Sequence, residues 1–194
     1  MENGKLRVVI ADDEPITRMD IKEILTEKGY EILGEATDGF DAVEICKKTK
    51  PDLVLMDIKM PLLDGLSAAR IMAEEGVDVA VVLLTAYSER EFIDSAKEIG
   101  VSGYLVKPID EKSLIPSIEL AVARYKEMQK LQRDMAKVSE RLENRSIIEK
   151  AKGRLMEREG IAEQEAYDYI RKLSQTKGLS MRRVAEILLL QTGG

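Results

Sequence analysis

An α/β domain with a parallel sheet, followed by an all-helical segment, is the architecture this sequence of 194 residues predicts. Three observations carry that expectation. Short β-branched runs alternate with helical patterns at a spacing of roughly 25 residues, the alternation that builds a parallel sheet with helices on both faces. The runs at 53–56 and 79–84 are continuously apolar, as strands buried on both faces must be. Beyond residue 113 the strand signal stops and helical periodicity takes over.

The elements follow in order. A strand at 6–11 runs into Asp12-Asp13-Glu14-Pro15, where the proline suits a helix's first turn. That helix is expected to turn Ile16, Met19, Ile21, Ile24 and Leu25 inward and to stop at Gly29. A second strand covers 30–36, and Asp38-Gly39 turns into a helix marked by Ala42, Val43, Ile45 and Cys46. The third strand ends on one carboxylate, Asp57, and Asp64-Gly65 opens the next helix, which ends near Gly76. The fourth strand ends at Thr85-Ala86, and a helix is expected at 89–99. The fifth, at 101–106, ends at Lys107-Pro108, and a helix starts near Asp110 or Ser113. If Ser113 is its N-cap, Pro116 is tolerated; otherwise it kinks the helix.

Composition narrows the chemistry. With no histidine and one cysteine, zinc sites and histidine-based triads are excluded. Cys46 reads as core filler, and no apolar run approaches the ~20 residues of a membrane span. The first residues lack the apolar region of a signal peptide, so a cytoplasmic protein without membrane contact is expected. Net charge is −10 over residues 1–124, +1 over 125–143 and +3 over 144–194, which suggests different partners for the two ends.

Ligands of open parallel sheets bind beyond the carboxyl ends of the strands. The polar residues there are Asp12, Asp13, Asp57, Thr85 and Lys107. Asp57 could simply cap the following helix. Clustered carboxylates repel one another, and Mg²⁺, which takes oxygen ligands, relieves that repulsion. A carboxylate can also act as a nucleophile to form an aspartyl phosphate, with Thr85 and Lys107 offering a hydroxyl and a point charge to phosphoryl oxygens. No nucleotide-binding P-loop is present.

The set Asp12-Asp13, Asp57 followed by Met60-Pro61 and Asp64-Gly65, Thr85-Ala86 and Lys107-Pro108 resembles the receiver domain of two-component response regulators, over residues 5 to about 124. The resemblance implies a flavodoxin-like (βα)5 fold in which Asp57 accepts a phosphoryl group from a sensor histidine kinase. It implies Mg²⁺ held by Asp13, Asp57 and the Lys59 carbonyl, with Asp12 helping through water. Thr85 and Lys107 would bind phosphoryl oxygens, and Thr85 with Tyr104 would form the conformational switch. It further implies a cis Lys107-Pro108 peptide, and that Lys59 and Tyr87 tune dephosphorylation.

In the second half, Ala121, Met128, Met135 and Leu142 fall at one heptad position and Leu131 and Val138 at the other, with Arg124 and Arg145 at the ends. About three apolar heptads suit parallel or antiparallel self-pairing, or packing on the chain's own first domain. Residues 144–194 read as a small three-helix module broken at Gly160 and Gly178, with Ser180 capping the last helix. Its helices are expected to turn Ile147, Ala151, Leu155, then Ala166, Tyr167, Ile170, then Val184 and Leu188 inward.

The run Ala151-Lys152-Gly153-Arg154-Leu155-Met156, with Ala166-Tyr167, Arg171 and Val184-Ala185, resembles the ANTAR domain of RNA-binding antitermination regulators. That resemblance implies binding of two short RNA hairpins near a terminator. Lys150, Lys152, Arg154, Arg171, Lys172, Arg182 and Arg183 are the candidate contacts, on the expectation that they are exposed. Gly153 would permit close approach of RNA or a helix, and Tyr167 is either a core aromatic or a stacking platform for a loop base.

The organisation expected is a receiver at 1–124, a coiled-coil linker helix at 125–143 and an RNA-binding module at 144–194. The function expected is a non-enzymatic response regulator that dimerises on phosphorylation and binds tandem hairpins. Alternatives are a DNA-binding helical output and a phosphatase built on the same aspartyl rim.

Overall fold

The computed structural model describes residues 5–86, 96 and 98–190. Tyr87 and most of the expected 89–99 helix lie outside the described residues; Ala96, Glu98 and Ile99 are helical. The chain divides into two compact units, Met1–Met128 and Gln129–Gly194.

The first unit is built on a parallel sheet of β1 (Arg7–Ala11), β2 (Glu31–Ala36), β3 (Leu53–Asp57), β4 (Ala80–Thr85) and β5 (Gly103–Val106), in the order β2-β1-β3-β4-β5. α1 (Pro15–Glu27), α2 (Gly39–Thr49), α3 (Gly65–Glu74) and the first part of α4 (Glu111–Glu159) flank it. This is the flavodoxin-like architecture expected. Successive side chains of a strand point to opposite faces. Val9 and Val54 therefore enter the core under α2 and α3, while Val8, Ile10, Leu53 and Leu55 enter the other, with α1 and α4.

Register positions the site. Ala11 pairs with Met56, Asp57 with Leu84, and Thr85 with Val106. The next residues along, Asp12, Asp57, Thr85 and Lys107, therefore arrive at one rim. Strand order reverses between β1 and β3, which opens a crevice at that point.

One expectation is corrected here, and one open alternative is decided. Ile16 and Met19 do not face inward; they are 75% and 67% exposed. α1 buries Ile21 and Leu25, and at 100° per residue Ile16 and Met19 fall on the opposite face. The N-cap of α4 is Asp110, whose Oδ1 accepts the Ser113 N–H at 2.8 Å, so Pro116 sits inside the helix. Its ring is exposed, which leaves the Lys112 carbonyl it cannot satisfy on the solvent side.

The second unit combines the rest of α4 with α5 (Glu163–Lys177) and α6 (Met181–Leu190) around a core of Ala151, Leu155, Ala166, Ile170, Val184 and Ala185. α5 ends at Gly178, whose φ of +63° suits a residue without Cβ. Ser180 Oγ accepts the Arg183 N–H at 3.2 Å, the N-terminal cap expected for α6. Met128, Leu131, Met135, Val138 and Leu142 form an exposed apolar stripe along α4. No helix among the described residues is long and apolar enough to cross a membrane.

Candidate functional site

Asp12, Asp13, Asp57, Thr85 and Lys107 converge beyond the sheet's carboxyl edge. Asp12, Asp57 and Thr85 are buried, and Asp13 is exposed. One oxygen from each of the three carboxylates lies within 4.8 Å of the others. Lys107 Nζ sits 2.7 Å from Asp12 Oδ2 and 3.1 Å from Asp57 Oδ2. Its own N–H donates to the Thr85 carbonyl at 2.8 Å, which ties β5 to β4 at the site. Asp12 Oδ1 accepts the Glu14 N–H at 2.9 Å. A cavity of about 320 Å³ opens over the group, lined in part by Asp13, Asp57, Lys59, Thr85 and Lys107.

The electrostatics follow from crowding. Burial pushes the Asp57 carboxyl above its ordinary range, and the Asp12 and Asp13 charges add to that against the opposing pull of Lys107. Burial disfavours the Lys107 charge, but the hydrogen bond to Asp12 and the Asp57 charge outweigh it, so the ammonium is held more firmly than usual. The arrangement offers a hard, oxygen-rich, anionic pocket with one cation over two of its carboxylates, beside a hydroxyl.

Tyr104 stands on β5, 48% exposed, on a groove with Leu120 and Arg124. The Lys107-Pro108 peptide is cis.

In the second unit the basic candidates separate into two groups. The expectation that Lys152 lies on the surface is corrected: it is 6% exposed, and its Nζ donates to Glu149 at 2.9 Å and to Glu163 at 2.7 Å. A lysine is buried only when its charge is paired, and Glu163 at the start of α5 supplies the second carboxylate. Arg154 donates to the Leu189 carbonyl at 3.2 Å, serving the C-terminal end of α6. Arg182 is half-buried, bonding Asn144 at 3.0 Å and Glu186 at 2.9 Å. Lys150, Arg171, Lys172 and Arg183 are exposed, and of these only Arg183 is ion-paired among the described residues, to Glu186. Gly153 is half-buried with open space at its missing Cβ. Tyr167 is not the fully inward residue of the helical pattern; it is 37% exposed beside buried Ala166. Sequence reasoning passed over Tyr169, 45% exposed on α5, although an aromatic residue off the apolar period is a visible signal. It also passed over Arg18, whose Nη1 donates to the Asp12 carbonyl at 2.7 Å.

Residues 8–119 match the response regulator receiver domain, and the chain belongs to that family. Residues 136–189 match the ANTAR domain. The transcriptional regulatory protein PdtaR of Mycobacterium tuberculosis is 46% identical over 187 residues, covering 96% of this chain and 91% of that one. Among solved structures, the receiver domain of the response regulator NarL from Mycobacterium tuberculosis superposes with a TM-score of 0.59 at 30% identity, covering 61% of this chain and 97% of that one. The CheX–CheY–BeF3–Mg²⁺ complex from Borrelia burgdorferi gives 0.56 at 27%, covering 58% and 86%. The chain is thus a two-component response regulator with an RNA-binding antitermination output. Both modules are regulatory rather than enzymatic.

Proposed function

We propose that this protein is switched by phosphorylation of Asp57 from a sensor histidine kinase and then binds tandem RNA hairpins as a dimer, allowing transcription to pass a terminator. The observation that carries the reading is the convergence of Asp57, Lys107 and Thr85 under one cavity, with three carboxylates close enough to share a cation. All three donors are oxygen, and the pocket keeps room for water and phosphate, which suits Mg²⁺. Asp13, Asp57 and the Lys59 carbonyl would hold the ion, with Asp12 acting through water. When bound, Mg²⁺ supplies charge neutralisation for the incoming phosphoryl oxygens.

The chain's own residues do the rest. An Asp57 carboxylate oxygen forms the new P–O bond as the P–N bond to the kinase histidine breaks, and the departing imidazole takes up a proton. Lys107 turns from the carboxylates toward a phosphoryl oxygen, and Thr85 donates its hydroxyl to another. Movement of Thr85 is relayed to Tyr104 at the edge of β5. Lys59, at the cavity, and Tyr87 govern access of the hydrolytic water.

In the same reading the exposed stripe from Met128 to Leu142 pairs with a second copy, which sets two RNA modules side by side. Linked modules bind two hairpins with a gain in effective concentration and no additional interface. Lys150, Arg171, Lys172 and Arg183 would meet phosphates, with Tyr167 and Tyr169 offering faces for unstacked loop bases. Arg182, Arg154 and Lys152 would support the module, and Gly153 leaves space for RNA approach. The working divisions are 1–124, 125–143 and 144–194, and the buried, unpaired Cys46 with its thiol raised to about 12 suits a cytoplasmic protein.

The test compares wild type with Asp57→Ala, with and without acetyl phosphate and Mg²⁺. Wild type is expected to dimerise and to tighten on a tandem-hairpin RNA but not on its single-hairpin half, while Asp57→Ala stays monomeric and weak. Equal dimerisation of wild type with and without phosphodonor would sink the mechanism. Preference for duplex DNA would sink the RNA output.

A further inference from the structure

We propose that Arg18 is a positioning residue for the metal site, acting through the peptide that joins Asp12 to Asp13. This rests on the reading that Asp12, Asp13 and Asp57 hold Mg²⁺. The Asp12 carbonyl belongs to that peptide, so its direction sets the backbone angles on both sides and thereby the aim of both side chains. Arg18 Nη1 holds this carbonyl at 2.7 Å, a charge-assisted bond. The Arg18 side chain is only 15% exposed, and its Nε lies 3.7 Å from Glu35 Oε2 on β2. Glu35 is itself paired with Lys22 at 2.6 Å. That contact with the neighbouring strand is a long ion pair, and the buried Nε makes no hydrogen bond among the described residues, so the bond to the Asp12 carbonyl is the directional contact of the guanidinium.

The two aspartates need this support unequally. Asp12 is also fixed by its N–H to the Ala36 carbonyl at 3.1 Å, by Glu14 on Oδ1 and by Lys107 on Oδ2. Asp13 is exposed and its carboxylate makes no hydrogen bond or ion pair with the described residues, so what neighbours fix of it is the peptide that carries it. Arg18 thus does for Asp13 what an outer-shell partner does for a metal ligand. A lysine keeps the charge but lacks the planar guanidinium that aims Nη1 at the carbonyl.

The experiment uses the full chain, stripped of metal and without phosphodonor, with Mn²⁺ as the probe. Mn²⁺ takes the same oxygen ligands and is read directly by electron paramagnetic resonance. Arg18→Gln is expected to raise the Mn²⁺ Kd about tenfold, the usual scale for loss of an outer-shell partner. Arg18→Lys is expected to recover part of the loss, to about threefold. Thermal unfolding in chelator separates this from bulk stability, since a merely structural arginine would lower the midpoint and leave the Kd of the folded protein unchanged. A Kd for Arg18→Gln within about twofold of wild type overturns the proposal. If that variant does not fold, Arg18→Lys decides on the same criterion. If wild type binds no Mn²⁺, the metal reading falls and the role of Arg18 falls with it.

Discussion

Gly65 packs so closely on the backbone of Asp57 that a Cβ at residue 65 would overlap the Asp57 carbonyl oxygen. Its N–H also donates to the Ile58 carbonyl at 2.9 Å, so the start of α3 is sealed onto the end of β3. Alanine would gain up to ~1 kcal/mol in helix preference, but overpacking costs roughly 1–3 kcal/mol. The neighbour is the backbone of a strand paired on both sides, which cannot yield. Gly65→Ala is expected to lower the thermal midpoint and to slow labelling by acetyl phosphate, followed by intact mass. A variant with wild-type midpoint and labelling would show that the Asp57 backbone shifts freely.

Asp57→Asn should stabilise the metal-free receiver. The buried carboxylate sits against two others, and its pKa is raised, so the folded state holds the Asp57 proton more tightly than the unfolded state. By linkage, the stability of wild type falls as pH rises from the ordinary value of 3.8 through the raised folded value, and stays lower above it. The neutral amide escapes that loss. A higher thermal midpoint than wild type is expected at neutral pH in chelator, if burial and crowding by Asp12 and Asp13 outweigh the lost pairing with Lys107. The gain should narrow as the pH falls toward 3.8, and it should reverse when Mg²⁺ stabilises only the wild type. An Asn variant less stable than wild type in chelator would contradict the electrostatic account.

Basic residues of the RNA module should divide by salt dependence. Removing one phosphate-neutralising charge lowers the slope of log affinity against log salt by about 0.7 for single-stranded RNA. Lys150→Ala, Arg171→Ala and Lys172→Ala are each expected to show that decrease, because these side chains are exposed and unpaired among the described residues. Lys152→Met is expected to keep the slope and to lower the melting midpoint of the module, because its charge is spent on Glu149 and Glu163. A reduced slope for Lys152→Met would return that residue to the RNA surface.

Charge placed on the linker stripe should separate pairing from folding. Leu131 and Val138 are both exposed and one heptad apart. The double substitution Leu131→Glu, Val138→Glu is expected to change stability by no more than about 0.5 kcal/mol per site, the range of surface changes. It is expected to leave the phosphorylated protein monomeric in sedimentation and to reduce tandem-hairpin affinity to that of one hairpin. Unchanged dimerisation would move the pairing surface away from this stripe.

The receiver rim was legible because strand ends announce themselves: an apolar run stops on Asp57, another on Thr85, and another on Lys107. Ile16 and Met19 misled, because several apolar residues in one helix do not say which of two faces is covered. Arg18 was invisible for a related reason. Its partner is a main-chain carbonyl, and no residue type marks that. Lys152 and Arg182 read as exposed because composition records charge without its partners, whereas Arg154 is exposed as expected while also bonding the Leu189 carbonyl.

Residue order and type alone determined the five strands, the helices that join the first four, and the acids, hydroxyl and lysine that end at the sheet's edge. A strand's length and apolar run are local properties that need no knowledge of the rest of the chain. Tertiary structure alone decided that β1 lies beside β3, so that Asp12 and Asp57 share Lys107, and that Lys152 faces Glu163 across eleven residues. Ion pairs form or fail over a few ångströms, and only the packing of whole elements sets distances on that scale.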